Sequence, residues 1–202
     1  MDEIKLFRYE EELWRSGYSL IAGMDEVGRG PLAGPVTVAC CIMDPKAIVE
    51  GVNDSKKLTE KKRERLFPEL IEHAVGYSVI SIDNEEIDRL NILNATKQAM
   101  KRCVYSLFPV PDMLLVDAVD DDFGVPHRSI IHGDALSYSI AAASVIAKVT
   151  RDRMMVEYDR LYPGYGFAKH KGYGTKDHIE AIKKLGPCPI HRKTFIKNFV
   201  EI

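Results

Sequence analysis

Cysteine is scarce in this chain of 202 residues, and its four cysteines are poorly placed for cross-links or zinc. Cys40 and Cys41 are neighbours in an apolar run, Cys103 and Cys188 stand alone, and no C-x-x-C spacing occurs. That argues against a disulfide framework or a structural zinc site and for a reducing, cytoplasmic setting. Long hydrophobic runs are also missing. None approaches the ~20 residues of a membrane span, and the start, MDEIKLFRYEEELW, is too acidic and interrupted for a signal peptide. There is no internal repeat, no low-complexity linker and no phosphate-binding G-x-x-x-x-G-K-[ST].

Excess charge of one sign is absent as well, with a net charge of −2. The distribution is uneven, however. Pro163 to Ile202 holds eight Lys/Arg against three acids, and Asp54 to Arg65 holds six against three. Acids gather instead at Asp83–Asp88 and Asp117–Asp122. A polyanion would feel this segregation rather than the total.

What is present is a packed-core composition, 46% hydrophobic and 29% charged, that excludes wholesale disorder. Strand-like and helix-like stretches alternate, which predicts an α/β fold with part of the sheet antiparallel. Residues 2–16 read as an amphipathic helix with Ile4, Leu6, Phe7, Leu13 and Trp14 on one side. Strands are expected at Tyr18–Met24, Val36–Met43, Tyr77–Ile82, Met113–Val116 and Ser129–Ile131. Thr59 caps a helix that Pro68 should break or kink, and Asp83-Asn84 caps an acidic turn. A helix over 93–108 buries Ala95, Ala99, Cys103 and Leu107, with Pro109 and Pro111 stopping it. From Asp134 a long helix begins, apolar nearly all round at first, the mark of a helix sunk in the core. Thr175 caps a last helix with Ile179, Ile182 and Leu185 inward. The best boundary is Pro163-Gly164, dividing a main domain, 1–162, from a basic loop-and-helix extension, 163–202.

Four acids stand at the ends of core elements: Asp25 and Glu26, Asp117, and Asp134. Sites in α/β folds form at the carboxyl ends of strands, so one sheet could bring all four together. Carboxylates that close repel one another, and the usual remedy is divalent metal. All-oxygen ligation selects Mg²⁺ or Mn²⁺, and two such ions a few ångströms apart recur in phosphoryl hydrolysis. Asp134 serves equally well as the N-cap of its helix, and Asp117 could cap a turn. Asp152 lies five helical turns beyond Asp134, roughly 27 Å away, and is assigned to a salt bridge with an arginine. Gly28-Arg29-Gly30-Pro31-Leu32-Ala33 matches the dinucleotide pattern G-x-G-x-x-G/A, but Pro31, Gly34 and Pro35 leave no helix for it to open. The corner is either a tight turn between strands or a low backbone surface that lets a sugar-phosphate chain come close.

The segments GMDEVGRGPLAGPV, NDSKKLTEKKR, LLVDA, HGDALSYSIAAASVIAKVTRDR and YPGYGFAKHKGYGT occur in one order across nearly the whole length. In these motifs the chain resembles the bacterial ribonuclease HII family. The resemblance implies a ribonuclease H-like fold, a central mixed sheet flanked by helices, with a small helical C-terminal extension. It implies that Asp25, Glu26, Asp117 and Asp134 are the catalytic metal ligands. It implies that Gly28, Arg29 and Gly30 read a ribose 2′-hydroxyl, the group that separates RNA from DNA, and that Tyr173 packs on the next, deoxy, sugar. Lys56, Lys57, Lys169, Lys171 and Lys176 would then hold the phosphate backbone, although each reads equally well as a solvated charge. The expected substrates are RNA–DNA hybrid and ribonucleotide-containing duplex DNA, cut by a monomer with two Mg²⁺ or Mn²⁺ ions in ribonucleotide removal. One departure is His132, where many family members carry lysine, and the run Asp120-Asp121-Asp122 is unusually acidic. A hybrid-binding protein without catalysis and a metal-free carboxylate-pair hydrolase of the glycosidase kind are the rival readings.

Overall fold

The computed structural model describes residues 6–200, so Ile4 and the start of the first expected helix lie outside the described residues. Helix α1 covers Arg8–Arg15. Strands β1, Ile21–Val27, and β2, Val36–Met43, follow. Next come α2, Glu60–His73, β3, Ala74–Ile82, α3, Asn84–Leu90, and α4, Ile92–Tyr105. Strands β4, Met113–Asp117, and β5, His127–Ile130, lead to a short 3₁₀ turn, Gly133–Ala135. The chain closes with α5, Tyr138–Leu161, α6, Phe167–His170, α7, Lys176–Leu185, and α8, Lys193–Ile196.

The strands form one mixed sheet in the order β3-β2-β1-β4-β5. The pairs β1–β2 and β2–β3 are antiparallel, whereas β1–β4 and β4–β5 are parallel. The sequence of β2 shows why the sheet is covered on both faces. Its eight residues VTVACCIM are all buried, and successive side chains point to opposite faces. Val38, Cys40 and Ile42 join Ala95, Ala99, Met100 and Cys103 of α4 in one core. Ala39, Cys41 and Met43 join α2 and the small-residue run of α5 in the other. The mixed sheet flanked by helices is the architecture the sequence predicts.

Several boundaries differ from the sequence expectation. β1 begins at Ile21 rather than Tyr18 and runs on through Val27, so Asp25 and Glu26 lie within the strand. Helix α2 continues unbroken past Pro68. Leu66 and Leu70 on either side of the proline are fully buried and pin both halves to the core, while Pro68 itself faces solvent. There, water can donate to the Glu64 carbonyl in place of the N–H that proline lacks. Leu185 is 51% exposed at the last turn of α7, whose apolar face is carried by Ile179, Ala181 and Ile182.

The long helix begins not at Asp134 but at Tyr138, with Ser137 as N-cap accepting from the Ile140 N–H at 3.2 Å. Glu10 of α1 seals the same end, accepting from Ser137 Oγ at 2.6 Å and from the Ser139 N–H at 2.9 Å. Asp134 is thereby freed from capping. Asp152 does pair with cations: Lys148 at 2.8 Å and Arg63 of α2 at 3.7 Å. Residues 163–200 pack on the glycine corner rather than standing off. Tyr165, Phe167, Ile182, Ile190 and Ile196 share a core with Leu32, Ala33 and Met155. The Leu32 N–H donates to Gly172 O at 2.8 Å, the Gly34 N–H to Ile190 O at 2.9 Å, and the Arg192 N–H to Leu32 O at 2.9 Å.

Candidate metal centre and glycine corner

The parallel register sets Met24 beside Val116 and ends there, so the next residues, Asp25 and Asp117, stand side by side where β1 and β4 part, Asp25 still paired with Ala39 of β2. The 3₁₀ turn then delivers Asp134 to the same point, because the Gly133 N–H donates to Asp117 Oδ1 at 2.7 Å. Ligand oxygens of Asp25, Asp117 and Asp134 all lie within 4.8 Å of one another. Asp25 and Asp134 are buried and Asp117 is half-buried. Glu26, the next strand residue, is not one of this trio, yet it lies near enough to raise Asp25 and to be raised by Asp117. Its Oε1 meets Arg29 Nη1 at 3.3 Å, and its buried Oε2 has no hydrogen-bond partner.

The electrostatics are those of a crowded, unneutralised cluster. Burial pushes the Asp25 carboxyl well above the usual carboxylate range, and the charges of Glu26 and Asp117 push the same way. Asp117 is raised first by burial and next, against the Gly133 N–H, by Asp134. Glu26 is raised by burial in spite of Arg29. Lys56 Nζ reaches Asp134 Oδ2 at 3.3 Å. Partial burial works against its charge, but Asp134 and Asp25 outweigh that and hold its pKa up. An orphaned buried carboxylate oxygen beside three converging oxygen donors, without sulfur or imidazole among them, fits a hard divalent cation.

The glycine corner opens next to the acids. Gly28 has φ +91°, and a Cβ there would sit 2.2 Å from Arg151 Nε, so only glycine fits. Arg29 and Gly30 are exposed. A Cβ on Gly30 would point toward Tyr173, whose Cε1 is 3.9 Å away. Tyr173 is 41% exposed and is held from behind by a chain of imidazoles. The Cys188 N–H donates to His191 Nδ1 at 2.9 Å, so His191 carries its proton on Nε2 and donates to His178 Nε2 at 3.1 Å. His178 therefore carries its proton on Nδ1 and donates to Tyr173 O at 2.9 Å. Burial pushes both His178 and His191 down to about 4, which keeps this chain neutral.

Of the five lysines singled out with these residues, Lys56 alone reaches the acids. Lys57 is exposed, 3.9 Å from Asp54, and Lys169 pairs with Asp177 at 2.9 Å on the surface. Lys171 is turned inward, with φ +53° and its Nζ donating to Ala168 O at 2.6 Å. Lys176, the fifth, lies 3.8 Å from Glu180 on the surface. In the acidic run, Asp120 takes up His127 at 2.8 Å and Asp121 takes up Lys101 at 3.2 Å.

Two residues that the sequence reading missed hold the corner together. Arg151 and Arg192 are fully buried and satisfied by carbonyl oxygens. Arg151 bonds Pro35 O, Lys171 O and Ala33 O at 2.8, 2.9 and 3.2 Å. A signal for Arg151 existed, since Ser144, Ala147, Arg151 and Met155 continue one buried stripe of α5. Arg192, in a basic tail, carried none.

The ribonuclease HII sequence profile matches residues 22–198. The chain belongs to the ribonuclease HII family. The ribonuclease HII of Acetivibrio thermocellus is 58% identical over 193 residues, covering 95% of this chain and 75% of that protein. The ribonuclease HII of Caldicellulosiruptor saccharolyticus is 54% identical over 196 residues, covering 96% of each. Among solved structures, ribonuclease H2 from Pyrococcus horikoshii superposes with a TM-score of 0.74 at 31% identity, covering 91% of this chain and all of that one. Ribonuclease HII from Archaeoglobus fulgidus, solved in complex with PCNA, gives 0.77 at 24% and bears on the fold alone. As a ribonuclease HII, the chain is a metal-dependent endonuclease of the ribonuclease H type acting on RNA–DNA. No helix among the described residues is long and apolar enough to cross a membrane.

Proposed function

We propose that this enzyme hydrolyses the phosphodiester on the 5′ side of a ribonucleotide, in RNA–DNA hybrid and in duplex DNA with an embedded ribonucleotide. The products carry 5′-phosphate and 3′-hydroxyl ends, and the biological role is ribonucleotide removal from DNA by a cytoplasmic monomer. The observation that carries this reading is the adjacency of the Asp25–Asp117–Asp134 cluster to the Gly28-Arg29-Gly30 corner, whose Arg29 and Gly30 are exposed and whose Gly30 faces Tyr173.

Asp25, Glu26, Asp117 and Asp134 would hold two ions, Mg²⁺ or Mn²⁺. When bound, such a pair lowers the pKa of an attacking water and stabilises charge on the leaving 3′ oxygen. Everything else falls to the chain's own residues. The corner meets the 2′-hydroxyl with backbone, since Gly30 carries no side chain to fill the space before Tyr173. The tyrosine ring lies against the neighbouring sugar, where a 2′-hydroxyl would not fit flush. Lys56 brings positive charge to the mouth of the site, and Lys57 and Lys169 add to it from the surface. The inward Lys171 contributes through its backbone, by anchoring the loop on Arg151. Only Val27 separates the acids from the corner, so the scissile phosphate is fixed about one nucleotide step from the sugar being read.

The test is incubation of a duplex containing one ribonucleotide with Mg²⁺ or Mn²⁺. Incision 5′ of the ribonucleotide is expected. Binding without incision in either ion would favour a hybrid-binding protein, and activity that survives EDTA would favour a metal-free carboxylate mechanism.

A further inference from the structure

Glu10 is buried on the inner side of α1, and its carboxylate bonds a hydroxyl and an N–H rather than a cation. Oε1 accepts from Ser137 Oγ at 2.6 Å and from the Ser139 N–H at 2.9 Å, while the buried Oε2 has no hydrogen-bond partner. Burial raises the Glu10 pKa against those bonds. Leaving half of a carboxyl group unpaired in the interior costs free energy. Helix α5 does not need it as a cap, because Ser137 already fills that place.

What Glu10 adds is a link. Ser137 Oγ gives its proton to Glu10 and so turns a lone pair to the Ile140 N–H, 3.2 Å away. The Ser137 N–H in turn donates to Gly133 O at 2.8 Å, and the Gly133 N–H donates to Asp117 Oδ1 at 2.7 Å. A continuous run of hydrogen bonds thus leads from α1 through Ser137 and Gly133 to Asp117. Asp134 stands inside the turn that this run closes. The turn is strained at its entry, where His132 has φ +58°, and strained backbone persists only where its surroundings hold it.

We propose that Glu10 is a positioning residue for the metal centre: through Ser137 it anchors the turn that carries Asp134, so a residue of the N-terminal helix sets how tightly divalent ions bind. The inference rests on the reading of Asp25, Asp117 and Asp134 as metal ligands and adds the group that holds the third of them in place. The acting group is the acceptor oxygen rather than the charge. A glutamine amide oxygen offers the same two lone pairs, and alanine offers none. Groups that orient a metal ligand are worth roughly 10–100-fold in metal affinity.

Mn²⁺ binding to the substrate-free protein is counted by EPR of the free ion, and incision of the ribonucleotide duplex is followed against Mn²⁺ concentration. Glu10→Ala should bind Mn²⁺ roughly tenfold more weakly and need correspondingly more Mn²⁺ for half-maximal incision, with KM for the duplex unchanged. Glu10→Gln, which removes the charge and keeps the acceptor, should hold the parental values. Met100→Ala, a deletion in the core on the other face of the sheet, supplies the control. It should lower the melting temperature and leave Mn²⁺ binding at the parental level.

Parental Mn²⁺ binding in Glu10→Ala, or an equal loss in Met100→Ala, overturns the proposal and leaves the acids as the metal site. A loss in Glu10→Gln as large as in Glu10→Ala overturns it too, by assigning the effect to charge. Absence of Mn²⁺ binding in the parent protein sinks both readings. Should Glu10→Ala fail to fold, Ser137→Gly decides, because glycine is a tolerated cap that removes the same link. It should show the same weakening, and parental binding there refutes the assignment.

Discussion

Gly23→Ala should damage the active site without touching it. Gly23 sits mid-strand in β1, two residues before Asp25, and the first turn of α5 lies directly against it. A Cβ there would stand 2.0 Å from the Ser139 carbonyl carbon and 2.3 Å from the Ile140 nitrogen. Both are backbone atoms, so no side chain can swing away. Restoring ordinary contact requires the start of α5 to withdraw by about 1.4 Å. That withdrawal pulls on the Ser137 cap and its Glu10 bonds, and it carries Asp134, three residues upstream, away from Asp25 and Asp117. Overpacking of this kind costs about 1–3 kcal/mol, and a misplacement near 1 Å in a catalytic group costs ~10²-fold in rate. Urea unfolding and single-turnover incision of the ribonucleotide duplex measure the two effects. A variant within ~0.5 kcal/mol of the parent that also cuts at the parental rate would refute this account of how Asp134 is placed.

Gly30→Ala is the counterpart: its Cβ meets only Tyr173 at 3.9 Å, so thermal stability should hold while incision falls at least tenfold, and a normal rate would show that the space before Tyr173 is not used. Asp25→Asn should abolish incision and spare duplex binding, and it should raise the melting temperature of the metal-free protein at neutral pH. The sign follows from Asp25's raised pKa: stability present below about pH 4, the range of an unfolded aspartate, is lost as pH rises through the folded value, and asparagine removes that loss. Tyr173→Ala should weaken discrimination at the RNA–DNA junction, read as the ratio of junction to internal cuts, and an unchanged ratio would remove its sugar-packing role. Because His178 and His191 are held neutral down to about 4, stability should fall as pH drops from about 6.5 toward that value. His178→Gln should flatten the melting profile over that window.

The elements legible in the sequence were those with a one-dimensional signature. The apolar run VTVACCIM, caps at Thr59, Asp83 and Thr175, and the small-residue run of α5 all lie in contiguous residues, so local pattern suffices. Pro68 misled because a local rule was applied where tertiary anchoring by Leu66 and Leu70 decides the outcome. Asp134 read equally as a cap or a ligand because the sequence does not show that Ser137, three residues on and bonded to Glu10 of α1, takes the cap. The inward turn of Lys171 is likewise set by the loop it closes, and no pattern in KHKGYGT reveals it.

The sequence by itself determined the family, the α/β class and the chemistry of the donors, because side-chain identity and motif order are properties of the chain. Only the tertiary structure decided which donors converge. Parallel pairing of β1 with β4 sets Asp25 beside Asp117, the 3₁₀ turn brings in Asp134, and Glu26 stays close enough for the charge of Asp117 to raise its pKa. Arg151 and Arg192 became meaningful only once folding buried them, where an unpaired guanidinium must find carbonyls and those carbonyls belong to the glycine corner.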